Sequence, residues 1–157
     1  MNELLADYFI TSVAEMEMWG RKLFQSAEGR PIVLLLKGDL GVGKTTFVRG
    51  FLQAADHKGI VKSPTFSLVE TYDVSSHPIH HFDLYRLNNP AELNAIGWHD
   101  FFNAQQTCLI EWPDKAGAQL VTYDICCELT ISETQRHMQC YAGSLLGKTI
   151  LERLNAK

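Results

Sequence analysis

Gly38-Asp39-Leu40-Gly41-Val42-Gly43-Lys44-Thr45-Thr46 decides how this chain is read. The stretch satisfies G-x-x-x-x-G-K-[ST], the spacing of a phosphate-binding loop. Its flanks fit the motif. Ile32-Val33-Leu34-Leu35-Leu36 leads in as an apolar run, the pattern of a buried parallel strand. Phe47, Val48, Phe51 and Leu52 follow at helical spacing. In a strand, glycine loop and helix in that order, backbone N–H groups converge on phosphate oxygens. The helix N-terminus adds a partial positive charge beneath them. Asp39, Leu40, Gly41, Val42, Gly43, Lys44, Thr45 and Thr46 are therefore candidate nucleotide-binding residues. Lys44 would reach the β- and γ-phosphates, and the Thr45 hydroxyl would ligate Mg²⁺.

Outward from the loop, the chain reads as an α/β domain with a β-rich tail. Residues 12–29 form an amphipathic helix, with Ser12 as N-cap and Glu15 completing a capping box. Gly29-Arg30-Pro31 ends it. Phe66 to Tyr72 and Ile79 to Asp83 have strand composition. Asn88-Asn89-Pro90 opens a helix that runs to about Ile96, and Trp98 to Phe102 forms a short aromatic helix. Cys108-Leu109-Ile110 is a buried strand. Residues 123–131 alternate, with Tyr123, Ile125, Cys127, Leu129 and Ile131 on one face. Arg136 to Ala142 alternates again, with Met138, Cys140 and Ala142 inward. The Ser132 to Gln135 link makes these two an antiparallel hairpin, although it lacks the favoured Asn-Gly turn. Leu145 to Leu154 is a closing amphipathic helix. The expected architecture is a single three-layer phosphate-loop domain with a mostly parallel central sheet, a C-terminal antiparallel hairpin and that closing helix.

Composition narrows the class. The chain has 157 residues, 46% hydrophobic and 20% charged, which fits one globular domain. No apolar run approaches the length that spans a bilayer. The N-terminus, Met1 to Asp7, lacks the basic region of a secretory signal. The four cysteines, at 108, 126, 127 and 140, form no C-x-x-C pair and lie in apolar surroundings, so buried free thiols in a reducing cytoplasm are expected. A formal charge of −4 argues against a protein that grips nucleic acid on its own.

Hydrolysis needs a carboxylate beside Mg²⁺ and a group that orients the attacking water. Glu111 follows the apolar strand 108–110, where a metal-facing acid belongs. Asp83 ends another strand and is the second candidate, as a metal-shell ligand or the water-orienting base. Ser63-Pro64-Thr65-Phe66 lies about twenty residues after Lys44, where a γ-phosphate sensor or a plain turn would fit. His80 and His81 are adjacent and face opposite sides of a strand, a poor metal pair, so a structural role is expected for at least one. No Asn-Lys-x-Asp guanine reader is present, which favours adenine. Arg49, Arg86 and Arg136 are scattered, and the chain is short for the arginine-rich lid of a small-molecule kinase. Arg86 is a candidate in-cis arginine finger or a structural ion-pair partner.

Gly38 to Phe47, Ser63 to Val69, His81-Phe82-Asp83-Leu84-Tyr85-Arg86-Leu87 and Ile110-Glu111-Trp112-Pro113-Asp114-Lys115 occur in the order and spacing of the bacterial TsaE family, which this chain resembles over nearly its whole length. The resemblance implies a Mg²⁺-dependent ATPase needed to form threonylcarbamoyladenosine at position 37 of tRNAs that read codons starting with A. It implies TsaD and TsaB as partners, with tRNA contacted mainly through their complex. It also implies Lys44, Thr45, Asp83 and Glu111 at the nucleotide and metal, with Trp112 nearby. Thr11 and Ser12, and more weakly Arg136, would approach the adenine. Thr45 and Glu111 become the metal candidates, and Lys44, Asp83 and Glu111 the catalytic ones. The pattern departs from the family in the tail, at Gln119-Leu120-Val121 and at Gln135-Arg136. Two other readings stay open: a nucleotide-gated interaction subunit with little turnover, and a small-molecule kinase.

Overall fold

The computed structural model describes residues 3–74, 76–120 and 122–156. Its frame is one seven-stranded sheet. In chain order the strands are β1 (Glu3–Ile10), β2 (Val33–Lys37), β3 (Val69–Tyr72), β4 (Ile79–Asp83), β5 (Thr107–Glu111), β6 (Ile125–Ser132) and β7 (Gln135–Ala142). They lie in the order β1-β7-β6-β2-β5-β4-β3. The centre is parallel: β2 pairs with both β5 and β6, and β4 pairs with β5. Both margins are antiparallel. The central strands are buried on both faces, which explains the unbroken apolar run at β2: Leu34 and Leu36 join one core, Leu35 the other.

Three helices, α1 (Val13–Ala27), α2 (Lys44–Ala54) and α3 (Leu145–Ala156), contribute to one core. Met16, Trp19 and Leu23 of α1, Phe47, Phe51 and Leu52 of α2, and Ile150, Leu151 and Leu154 of α3 fill it. On the second core sit Leu84, Leu87, Leu93, Trp98 and Ala116, carried by turns and 3₁₀ segments. The third layer is thus built of 3₁₀ turns where the sequence suggested helices. Pro90–Ile96 and Trp98–Phe101 are both 3₁₀. Asn89 caps the first with a reciprocal Glu92 bond, and the left-handed Gly97 ends it.

Helices α1 and α2 touch backbone to backbone. A Cβ on Gly50 would run into the Glu17 carbonyl, and one on Gly20 into that of Phe47. This close approach holds the start of α1 beside the start of α2, where the glycine loop lies.

Several details differ from the sequence reading. Strand β1 has no counterpart in it. Strand β3 begins only at Val69, because Leu68 is left-handed and its N–H bonds back to the Pro64 carbonyl at 2.8 Å. The Ser12 hydroxyl accepts from the Glu15 N–H at 3.1 Å, but the Glu15 carboxylate turns to Thr11 rather than to the cap itself, so the box is only half formed. Tyr123 packs against the second core, away from Ile125, Cys127 and Leu129, and Ile131 is exposed. The β6–β7 hairpin closes over Glu133-Thr134, with Glu133 at positive φ in place of the usual Asn or Gly. In the 119–121 turn, Val121 lies outside the described residues. All four cysteines are buried and free. Among the described residues no helix is long and apolar enough to cross a membrane.

Candidate nucleotide-binding site

The site lies at the carboxyl ends of the parallel strands, where an open α/β sheet offers a crevice. The loop from β2 to α2 uses glycine where the backbone demands it: Gly41 and Gly43 have φ of 78° and 118°. Gly43 caps α2 without a side-chain bond, leaving the first N–H groups of the helix to a ligand. Arg136 of β7 braces the loop from behind, its Nε donating to the Val42 carbonyl at 3.1 Å.

Two cavities of about 250 Å³ each meet at this loop and share Gly41, Gly43 and Thr46. The first is bounded by Ile10, Thr11, Ser12, Met16, Val42 and Arg136. It is an aliphatic slot with polar edges, suited to a flat heterocycle. Thr11 is held at its rim by Glu15, which accepts from the Thr11 N–H at 2.8 Å and from its hydroxyl at 2.9 Å. These two bonds hold the Glu15 carboxyl below the usual range.

The second cavity is polar. Lys44, Thr45, Thr65, Asp83, Glu111 and Trp112 are among its walls. The Lys44 ammonium is buried, with the residue only 4% exposed. It donates to the carbonyls of Gly38 and Asp39, the latter at 3.0 Å, and lies 4.4 Å from the Trp112 ring centroid. Burial pushes its pKa down, against the pull of Glu111, Asp83 and Asp39. A desolvated cation beside a cradle of N–H groups favours an anion. Trp112 is itself left-handed, at φ 57°, immediately after β5.

Glu111 ends β5. Its Oε2 accepts from the Thr45 hydroxyl at 2.8 Å and from His81 Nε2 at 2.6 Å. Asp83 ends β4. Its Oδ2 accepts from the Ser63 hydroxyl and, at 3.3 Å, from that of Thr65, while Oδ1 accepts from the Tyr85 N–H at 3.0 Å. Among the described residues no three His, Cys, Asp or Glu side chains gather to hold a metal by themselves.

The family described as threonylcarbamoyl adenosine biosynthesis protein TsaE matches residues 10–140. The chain belongs to the TsaE family. It is 45% identical over 122 residues to the tRNA threonylcarbamoyladenosine biosynthesis protein TsaE of Haemophilus influenzae, a match covering 78% of this chain and 77% of that one. To the protein of that name in Synechocystis it is 34% identical over 119 residues, 73% of this chain and 74% of the other. The crystal structure of YdiB from Bacillus subtilis superposes with a TM-score of 0.83 at 25% identity, covering 99% of this chain and 97% of that one.

The structure of this TsaE-family chain gathers the sequence candidates into two neighbouring groups. Thr11, Ser12, Val42 and Arg136 border the first cavity; Leu40, Lys44, Thr45, Thr65, Asp83, Glu111 and Trp112 border the second; Gly41, Gly43 and Thr46 border both. Asp39 contributes its carbonyl to Lys44. Arg86 is exposed and stacks 4.5 Å from the centroid of Phe66, and no ion pair of Arg86 occurs among the described residues. Sequence reasoning did not place His81 and Ser63 at the two carboxylates. The pointer for His81 was strand alternation, which sets it on the Asp83 face of β4.

Proposed function

We propose that this chain is a Mg²⁺-dependent ATPase acting in the formation of threonylcarbamoyladenosine at position 37 of tRNAs reading codons that begin with A. In this reading it works in the cytoplasm with the TsaD–TsaB complex, which makes most of the contact with tRNA. Family membership supports the pathway. The observation that carries the chemistry is the polar cavity, where a buried Lys44 and the Thr45 hydroxyl face two carboxylates at adjacent strand ends.

The aliphatic slot receives the adenine, between Met16 and Val42 on one side and Thr11, Ser12 and Arg136 at its edges. The loop N–H groups and Lys44 take the phosphates, and Lys44 gives up its carbonyl partners for them. The donor set fits Mg²⁺, which prefers oxygen ligands and is usually held by one or two protein oxygens together with substrate phosphates. Thr45 and Glu111 would hold it, and the bound ion would neutralise charge on the phosphates. Asp83 ties Ser63 and Thr65 to the reaction end of the cavity, where a carboxylate can orient a water for attack. Among the described residues no arginine lines the polar cavity, so turnover by the isolated chain should be slow.

The test is phosphate release from ATP with and without TsaD–TsaB. Stimulation by the partners supports a coupled ATPase. Nucleotide binding without turnover in either condition would favour a nucleotide-gated interaction subunit. Phosphate transfer to an added nucleoside or sugar would favour a small-molecule kinase.

A further inference from the structure

His81 lies directly behind Glu111. Its side chain is 0% exposed, and its Nε2 is 2.6 Å from Glu111 Oε2. A carboxylate only accepts, so Nε2 carries the proton and donates it. The other ring nitrogen, Nδ1, is buried without a hydrogen-bond partner. The imidazole is thus anchored by one polar bond, and that bond goes to Glu111. An unpaired buried ring nitrogen is a cost that an apolar side chain would not carry. Ile79, two residues earlier on the same strand face, shows that this side of β4 accepts one. Packing alone does not explain a histidine here.

The same carboxylate oxygen receives the Thr45 hydroxyl, so Glu111 on β5 is gripped from α2 and from β4 together. Two donors on one oxygen restrict rotation of the carboxylate. The geometry points to His81 as a positioning residue that fixes the Glu111 carboxylate toward the Thr45 hydroxyl and the metal site while touching neither nucleotide nor metal. This inference rests on the reading of Glu111 as the acid beside Mg²⁺.

The experiment measures affinity for a non-hydrolysable ATP analogue by calorimetry, in EDTA and in Mg²⁺. The variants are His81→Leu, His81→Gln, Glu111→Ala and the Leu/Ala double variant. His81→Leu should leave the EDTA affinity unchanged and lose about tenfold or more of the gain that Mg²⁺ brings, as partners behind metal ligands commonly do. His81→Gln, which keeps an N–H donor, should restore most of that gain. The double variant should match Glu111→Ala, because nothing remains to be positioned. If His81→Leu does not fold, His81→Met carries the same expectation. An equal loss in EDTA and in Mg²⁺, a loss that adds in full to that of Glu111→Ala, or no rescue by glutamine would overturn the inference and leave His81 a packing residue. If Glu111→Ala itself keeps the wild-type Mg²⁺ dependence, the role of Glu111 fails first, and that of His81 with it.

Discussion

Asp83 and Glu111 are direct neighbours in register at the ends of two parallel strands, Asp83 on β4 and Glu111 on β5. Their partners differ. Glu111 is bonded to Thr45 at the start of the helix behind the glycine loop, whereas Asp83 is bonded to Ser63 and Thr65 on the following segment. One carboxylate is therefore tied to the helix that follows the glycine loop and the other to the segment that precedes β3. Strand register brings them together, and the segments on either side give them separate partners.

Lys44→Ala should remove most of the nucleotide affinity. Lys44 is the cation buried in the polar cavity, and its bonds to the Gly38 and Asp39 carbonyls would be exchanged for stronger ones to phosphate. Loss of one charge-assisted contact should cost about 1.5–3 kcal/mol, or roughly 10- to 150-fold in the dissociation constant. Calorimetric titration with ATP measures it. An unchanged constant would move the site away from this loop.

Glu111→Ala and Asp83→Ala should each cut turnover more than ATP binding. The loop N–H groups and Lys44 remain to hold the phosphates, and Thr45 retains a weaker hold on Mg²⁺. Steady-state phosphate release with TsaD–TsaB, set against equilibrium nucleotide binding, separates the two effects. Wild-type turnover by either variant would remove that residue from the chemistry.

Much of this site was legible in the sequence because its parts are local. The glycine loop is contiguous, and both acids stand at the ends of short strand-like runs. What escaped depends on contacts between distant segments. Strand β1 turns only Ala6 and Ile10 fully inward and leaves Leu4 and Phe9 exposed, so its apolar residues show no clean alternation. It also carries an irregularity between Leu4 and Ala6, and pairing with β7 defines it as a strand. His81 was readable as a buried strand residue, but its bond to Glu111 crosses from β4 to β5. The 3₁₀ turn Pro90–Ile96 over the second core starts with the same Asn89–Glu92 cap that opens an α-helix, so the sequence pattern does not distinguish the two.

Alkaline pH should destabilise the protein more steeply than its net charge suggests. Burial pushes the Cys108 and Cys126 thiols up to about 12, and it also raises Cys127. Between the ordinary thiol value of 9.0 and those raised values, the unfolded chain loses protons that the folded chain keeps. Unfolding is favoured as pH rises, by about 1.4 kcal/mol per pH unit for each thiol once ionisation in the unfolded chain is complete. Lys44 works in the opposite sense: its lowered value makes stability rise with pH up to its ordinary 10.5, but it is one group against several. Denaturant unfolding under reducing conditions, from pH 8 to 11, should show the loss beginning near 9. Cys108→Ala should make the slope shallower. An unchanged slope would mean that this thiol ionises without unfolding.

Thr65→Ala should uncouple ATP binding from partner engagement. Thr65 lies in the polar cavity, 3.1 Å from the Ser63 hydroxyl and 3.3 Å from Asp83 Oδ2. The next residue, Phe66, is 85% exposed, a large apolar side chain presented to solvent and stacked against Arg86. Hydroxyls placed to answer to a γ-phosphate in the proposed reading and an aromatic ring on the surface are joined within one short segment. A ligand shifts such a segment only through contacts that differ between its states, and the Thr65 hydroxyl can bond γ-phosphate only while ATP is intact. Removing it should leave ADP affinity nearly untouched and weaken the ATP-dependent increase in binding to TsaD–TsaB. Phe66→Ala should weaken partner binding with either nucleotide, because it removes contact area rather than the sensor. Partner affinity measured with ADP and with a non-hydrolysable ATP analogue distinguishes the two variants. If Thr65→Ala keeps the full nucleotide dependence, residues 63–66 are a plain turn and the switch lies elsewhere in the chain.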